Sequence, residues 1–127
     1  MTSARHLASQ DDVHALDLAG TRFTSLSIAE HSVDIVLNFV DGRTAVVRIE
    51  SAGVLGGKIS DFKYLEAGPE LGRVLMDFIG STVIEQNADS LDLVLVFDGG
   101  QSLRISVDDS GFESYEVCIE GEVYVAP

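Results

Sequence analysis

Six carboxylates near the carboxyl terminus are the residues of this chain whose types and spacing could do chemistry together. They are Asp108, Asp109, Glu113, Glu116, Glu120 and Glu122, and no basic residue lies between positions 105 and 127. On neighbouring strands these side chains would form one electronegative surface, which would attract a basic protein partner and orient it on approach. The sequence therefore predicts that these six residues bind a partner.

Glu113 suggests a second hypothesis. Strand alternation places it on the same face as Tyr115, Val117 and Ile119. A carboxylate at such a core-facing position has to lie at a strand mouth or be paired, because burying it alone costs too much free energy. A second hypothesis is therefore a small-ligand site, or a cryptic active site, at a strand mouth near Glu113 and Tyr115. Arginines 48 and 104 could pair with Glu113, although simple alternation points both of them outward.

Other residue types that could support catalysis or hold a cofactor do not occur in suitable patterns. The histidines, at positions 6, 14 and 31, lack the short spacings that metal sites use. Cys118 lies among glutamates, a setting that disfavours a reactive thiolate. The segment SAGVLGGK is one residue short of a phosphate-binding loop, and Ile59 stands where that loop needs a hydroxyl. We therefore predict no catalytic residue, no metal and no cofactor, and we interpret residues 50–60 as an irregular, mobile loop.

The strands that would carry these side chains are predicted by alternating apolar residues, and the pattern occurs twice. Residues 20–50 contain a glycine, a mixed strand, an alternating strand, Asp41-Gly42 and a returning strand, and residues 80–107 repeat that order around Asp98-Gly99. A glycine after the aspartate supplies the positive φ of a tight turn. Because neither unit covers its own apolar face, we expect the two to complete one core together.

One helix is predicted over residues 69–79, in the link between the units. Its apolar residues follow helical spacing, Pro69 suits the first position, and Gly80 suits the stop. With about eight strands, the fold class is mainly β, an antiparallel sandwich or a partly open barrel built from two similar β-hairpin units, with the helix plugging or flanking one open end. An uncapped edge at residues 123–125 could pair with a second copy to form a homodimer.

Size and charge limit the domain organisation and the partners. The chain has 127 residues, with 21 acidic and 8 basic side chains and a net charge of −13. We predict a single domain over 1–127, with residues 1–12 disordered. The negative charge disfavours binding to nucleic acid and to acidic membranes. With no apolar run long enough for a signal peptide or a membrane span, and a single cysteine, a cytoplasmic location is expected.

The order of these features resembles a group of small bacterial domains of unknown function, and also the immunity proteins that neutralise polymorphic toxins. The resemblance is carried by Gly80, Leu93 to Gly99, Leu103 to Ile105 and Glu113-Ser114-Tyr115-Glu116. It implies a non-enzymatic, acidic interaction domain that binds a basic protein, and it carries over no catalytic residues. The alternative, a small-ligand binding domain or cryptic enzyme, remains open beside it.

Overall fold

Eleven strands and one α-helix make up the described part of the chain. The computed structural model describes residues 4–7, 17–56, 63–89, 92–106, 114–120 and 122–126. The strands are β1 (Ala4–Leu7), β2 (Arg22–Ile28), β3 (Val33–Asn38), β4 (Thr44–Ile49), β5 (Ala52–Gly56), β6 (Lys63–Glu66), β7 (Val83–Asp89), β8 (Asp92–Phe97), β9 (Ser102–Ser106), β10 (Tyr115–Ile119) and β11 (Glu122–Ala126). Helix α1 (Pro69–Leu75) continues into a 3₁₀ turn at Met76–Phe78.

The strands form two sheets that enclose the core between them. One sheet has the order β1-β11-β10-β4-β3-β2, and the other has the order β6-β5-β9-β8-β7. All neighbouring strands are antiparallel except β1 and β11, which are parallel. Alternate residues of β3 and β8 point inward, so that Ile35 and Leu37 of β3 and Leu93 and Leu95 of β8 are fully buried. The predicted mainly β fold, in its sandwich form with one short helix, is confirmed.

The two halves of the chain, β2 to β6 and β7 to β11, exchange their last hairpins: the last hairpin of each half joins the sheet that contains the first three strands of the other half. Strands β2, β3 and β4 lie together in the first sheet, but the β5–β6 hairpin that follows them pairs with β9 in the second sheet. Strands β7, β8 and β9 lie in the second sheet, and the β10–β11 hairpin that follows them pairs with β4 in the first. Each sheet therefore contains strands from both halves of the chain.

Matched backbone hydrogen bonds join the starts of the two halves. The N–H of Gly20 donates to the carbonyl of Val83 at 2.6 Å, and the N–H of Gly80 donates to the carbonyl of Phe23 at 2.7 Å. Both glycines have positive φ, 89° and 98°. Exchanging the two halves turns each of these bonds into the other, so the strands are related by an approximate two-fold symmetry.

The two hairpin turns are equivalent, but their alignment is shifted by one residue from the predicted one, which matched Asp41 with Asp98. The glycine with positive φ is Gly42 in the first turn, at 94°, and Gly100 in the second, at 84°. These are three-residue loops that end in a left-handed glycine, a common hairpin connection. Asp41 therefore corresponds to Gly99, and the two aspartates are not equivalent.

The glycine-rich segment predicted to be an irregular loop instead contains strand β5, which lies between β6 and β9. The prediction is wrong over residues 52–56, and residues 57–60 lie outside the described ranges. A Cβ added at Gly53 would lie 2.9 Å from Leu103 Cδ1 and 3.1 Å from Leu71 Cδ1. Gly53 therefore allows α1 and β9 to approach the strand closely, and it does not interrupt the sheet.

The two ends of the chain lie side by side in the first sheet. Residues 4–7, expected to be disordered with the rest of 1–12, form β1; residues 1–3 and 8–12 lie outside the described ranges. Strand β1 pairs with β11, in a register that places Arg5 beside Val123. Because β11 also pairs with β10, residues 123–125 have a neighbouring strand on each side and are not the uncapped edge expected from the sequence, and the homodimer stays a prediction.

Helix α1 closes the space between the two sheets. It contacts β2 and β3 of the first sheet and β6 of the second. Leu71 and Leu75 are fully buried, and Gly72 packs against the side chain of Ile28. The α-helix is shorter than predicted, ending at Leu75, although the 3₁₀ turn continues to Phe78. No helix in the described ranges is long and apolar enough to cross a membrane.

Candidate functional site

The structure places the predicted acidic residues in two locations. Glu120 and Glu122 lie where the chain turns from β10 to β11, whereas Glu116 lies on the outer face of the first sheet. The remaining predicted residues fall outside the described ranges, and they are Asp108, Asp109 and Glu113.

A cleft of about 490 Å³ opens beside the β10–β11 turn. Its lining consists of Asp17, Ala19, Phe39, Arg43, Ile119, Glu120, Glu122 and Tyr124. Three carboxylates and one guanidinium give this acidic cleft a formal charge of −2. The carboxylates are on exposed residues, and the apolar floor is formed by half-buried residues that pack against the core: Phe39, Ile119 and Tyr124. The cleft therefore combines an acidic rim with an apolar base.

Glu120 is fixed at the rim by its backbone and by a hydrogen bond. Its φ is 48°, the only positive value at a non-glycine residue in the described ranges. Its Oε1 accepts a hydrogen bond from the N–H of Thr44, at the start of β4, at 3.1 Å. This carboxylate therefore stabilises the neighbouring strand as well as contributing charge to the cleft, and Asp17 and Glu122 are the other two exposed carboxylates of the rim.

Arg43 occupies part of the acidic cleft. Its Nε donates to Asp41 Oδ2 at 2.8 Å, and its backbone N–H donates to Asp41 Oδ1 at 3.0 Å. These two hydrogen bonds hold the pKa of the Asp41 carboxyl below its usual value. The Arg43 guanidinium carbon also lies 4.4 Å from the centre of the Phe39 ring, in a cation–π contact.

The approximate two-fold symmetry relates the acidic cleft to a second cleft of about 320 Å³. Ile119 beside β4 corresponds to Leu55 beside β9, so their cross-strand neighbours Glu122 and Lys63 also correspond. The second cleft is lined by Leu55, Gly56, Lys63, Val74, Asp77, Phe78 and Gln101. With one aspartate and one lysine it has no net formal charge. The fold therefore produces two related clefts, of which one is acidic.

Glu116 is in a different electrostatic setting. In the cross-strand register it lies beside Arg48, whose Nε and Nη2 donate to Asp34 at 2.9 and 3.2 Å. The carboxylate of Asp34, with a smaller effect from Glu116, raises the pKa of Arg48. Arg104 makes a similar pair with Asp92 at 3.0 Å. Both arginines lie on outer faces, as alternation predicts, and the negative charge of Glu116 is partly balanced.

Tyr115 lies in the core instead of at an open mouth. None of its surface is exposed, and burial, with a smaller effect from Asp92, raises the pKa of its hydroxyl well above the usual value. Ser114, immediately before it, is also fully buried, and its carbonyl accepts the N–H groups of Glu50 and Ser51. Tyr115 therefore presents no surface to a ligand, and Glu113, the other residue of that hypothesis, is outside the described ranges.

Sequence reasoning did not single out Asp17, Phe39 or Tyr124 as site residues. They lie far apart in the sequence. The pairing of β2 with β3 brings Asp17 near Phe39, and the placement of the β10–β11 hairpin in the first sheet adds Tyr124. The parity of β11 was an available signal, since it places Tyr124 on the inward face opposite Val117. In the part of the chain that the structure describes, no group of three or more His, Cys, Asp or Glu residues is placed to hold a metal ion.

Neither a protein-family profile, nor a curated protein, nor a solved structure matches this chain.

Proposed function

We propose that this chain is a non-enzymatic protein-interaction domain that binds a basic segment of a protein partner in its acidic cleft, as the resemblance to immunity proteins implies. The main support is the difference between the two related clefts. The approximate two-fold symmetry of the fold accounts for the presence of both clefts. It does not account for the negative charge of the acidic cleft, because the second cleft has no net charge. A cytoplasmic setting suits a chain whose single cysteine is Cys118.

The construction of the cleft suits a long basic side chain. Lysine and arginine have an apolar stem that packs on apolar surface and a charged head that stays near water or a carboxylate. Ile119 and Tyr124 supply the apolar surface, and Asp17 and Glu122 supply exposed carboxylates at the rim. The overall charge of −13 increases the rate at which a basic partner approaches.

A nuclear magnetic resonance titration with a basic peptide, alternating arginine and lysine with glycine, tests this proposal. The cleft variant carries Asp17→Asn and Glu122→Gln. Its matched control carries Glu66→Gln on β6 and Asp77→Asn in the second cleft, which removes the same charge from exposed residues elsewhere. We expect shifts concentrated at the acidic cleft of the wild-type chain, and an affinity about tenfold lower in the cleft variant, because two exposed ion pairs are lost.

The control is expected to keep its affinity within about threefold, since it changes only the long-range field. Equal losses in the two variants, or shifts spread evenly over the surface, would show that the peptide responds to net charge alone. The proposal would then be wrong.

A further inference from the structure

We propose that the acidic cleft recognises an arginine of the partner, and that Arg43 is a built-in competitor whose guanidinium holds the position over Phe39 that the partner's arginine takes. This inference rests on the proposed function and specifies the side chain that the cleft selects. It follows from a cation that already lies in the cleft, against an aromatic ring.

The contacts of Arg43 show that the position accepts a guanidinium. The Phe39 ring is half-buried and packs against the core, which fixes its orientation. The guanidinium carbon of Arg43 lies 4.4 Å from the ring centre, within the range of a cation–π contact. A planar, weakly hydrated guanidinium stacks on such a ring, whereas the ammonium of lysine is compact and strongly hydrated. The ring can therefore distinguish arginine from lysine.

The contacts of Arg43 are also weak enough to be exchanged. Half of the Arg43 side chain is exposed, and Asp41, its ion-pair partner, is 56% exposed. Exposed ion pairs of this kind contribute little to stability. Arg43 can therefore leave the ring without unfolding the hairpin, whose turn retains the backbone hydrogen bond from Phe39 to Arg43.

In the described ranges, the second cleft contains Lys63 but no arginine over an aromatic ring. Gln101 occupies the position that corresponds to Arg43, because the N–H of Phe97 donates to the carbonyl of Gln101 just as that of Phe39 donates to Arg43. The Phe97 ring is buried and contacts Phe78 edge-on, with 5.3 Å between ring centres. An aromatic ring available to a cation is therefore a feature of the acidic cleft and not of the repeated turn.

The experiment compares two peptides that differ only in their basic residue, one with arginine and glycine and the other with lysine and glycine. Affinities are measured for the wild-type chain and for Arg43→Gln, which introduces the residue of the second cleft. Removing the competitor is expected to raise the preference for the arginine peptide over the lysine peptide by about threefold to sixfold. Arg73→Gln, which removes an exposed arginine from α1, should leave that preference unchanged.

Phe39→Leu provides the second variant, since leucine keeps apolar packing but has no ring. It should abolish the preference for arginine in the Arg43→Gln background. The inference is overturned if Arg43→Gln raises the affinity for both peptides equally, or if Phe39→Leu leaves the preference intact. If neither peptide changes the nuclear magnetic resonance signals of residues in the acidic cleft, the proposed function is wrong as well. This outcome is distinct from the two results that overturn the inference alone.

Discussion

Three tyrosines occupy three different environments in this fold. Tyr64 is 62% exposed on β6, Tyr124 is half-buried at the base of the acidic cleft, and Tyr115 has no exposed surface. The hydroxyl of Tyr115 therefore loses hydration of its charged form, and its pKa rises above the usual 10.0. Tyr115 should therefore link folding to alkaline pH.

The direction of that linkage follows from where the proton binds more tightly. The folded chain holds the Tyr115 proton more tightly than the unfolded chain, so this group leaves stability unchanged below pH 10.0 and lowers it above that pH. We expect the urea concentration at the unfolding midpoint to decrease as the pH is raised above 10.0, and to decrease less steeply in Tyr115→Phe. Tyr64→Phe is the control and should behave as wild type. Equal slopes in Tyr115→Phe and wild type would contradict the prediction.

At the scale of single elements, the sequence specifies which face of a strand is buried better than it specifies the neighbour of that strand. Alternation predicted the β3–β4 and β8–β9 hairpins because a one-residue slip would turn every apolar side chain outward. It could not predict that β5 and β10 cross to the opposite sheets, since the pattern is the same for either partner. The loop predicted around Gly53 is wrong for a related reason. In a sequence, a glycine within a strand usually indicates a break, and only the structure shows that Gly53 makes room for Leu71 and Leu103.

The candidate site was predictable to the same limited extent. Glu120 and Glu122 were found because they belong to a conspicuous acidic run. Asp17 and Tyr124 are far apart in sequence, and only strand pairing and the course of the chain bring them to one cleft. A local pattern contains no information about such contacts.

Gly72 in α1 provides the test at this scale. A Cβ at this position would lie 2.6 Å from Ile28 Cδ1, so alanine would force that side chain to move. Relieving glycine's helix penalty gains about 1 kcal/mol, whereas overpacking costs about 1–3 kcal/mol. We expect Gly72→Ala to destabilise the chain by up to about 2 kcal/mol in urea unfolding.

Ile28→Ala supplies the matched background, because it removes the obstructing atoms. In that background Gly72→Ala should stabilise the chain by about 1 kcal/mol, through helix propensity alone. The four chains form a double-mutant cycle. An identical effect of Gly72→Ala in both backgrounds would exclude the contact with Ile28 as the reason for the glycine.

At the scale of the whole molecule, the exchanged hairpins make each half of the chain necessary to both sheets. If β7, β8 and β9 separate, β5 loses its neighbour β9 in the second sheet. If β2, β3 and β4 separate, β10 loses its neighbour β4 in the first. Because the core also lies between the sheets, neither sheet can retain its packing alone, and we expect all strands to unfold in one cooperative transition.

Native-state hydrogen exchange in two core variants tests this coupling. Ile35→Ala removes a buried side chain from the first sheet and Leu95→Ala removes one from the second, and each should cost about 2–5 kcal/mol. In a single cooperative unit, Leu95→Ala lowers the protection of β3 and β4 amides by as much as that of β8 and β9 amides, and Ile35→Ala does the same in reverse. Val40→Ala, at a turn residue that is 96% exposed, should leave protection unchanged. Loss confined to the substituted sheet would mean that the sheets unfold separately, and that the exchange of hairpins does not couple them.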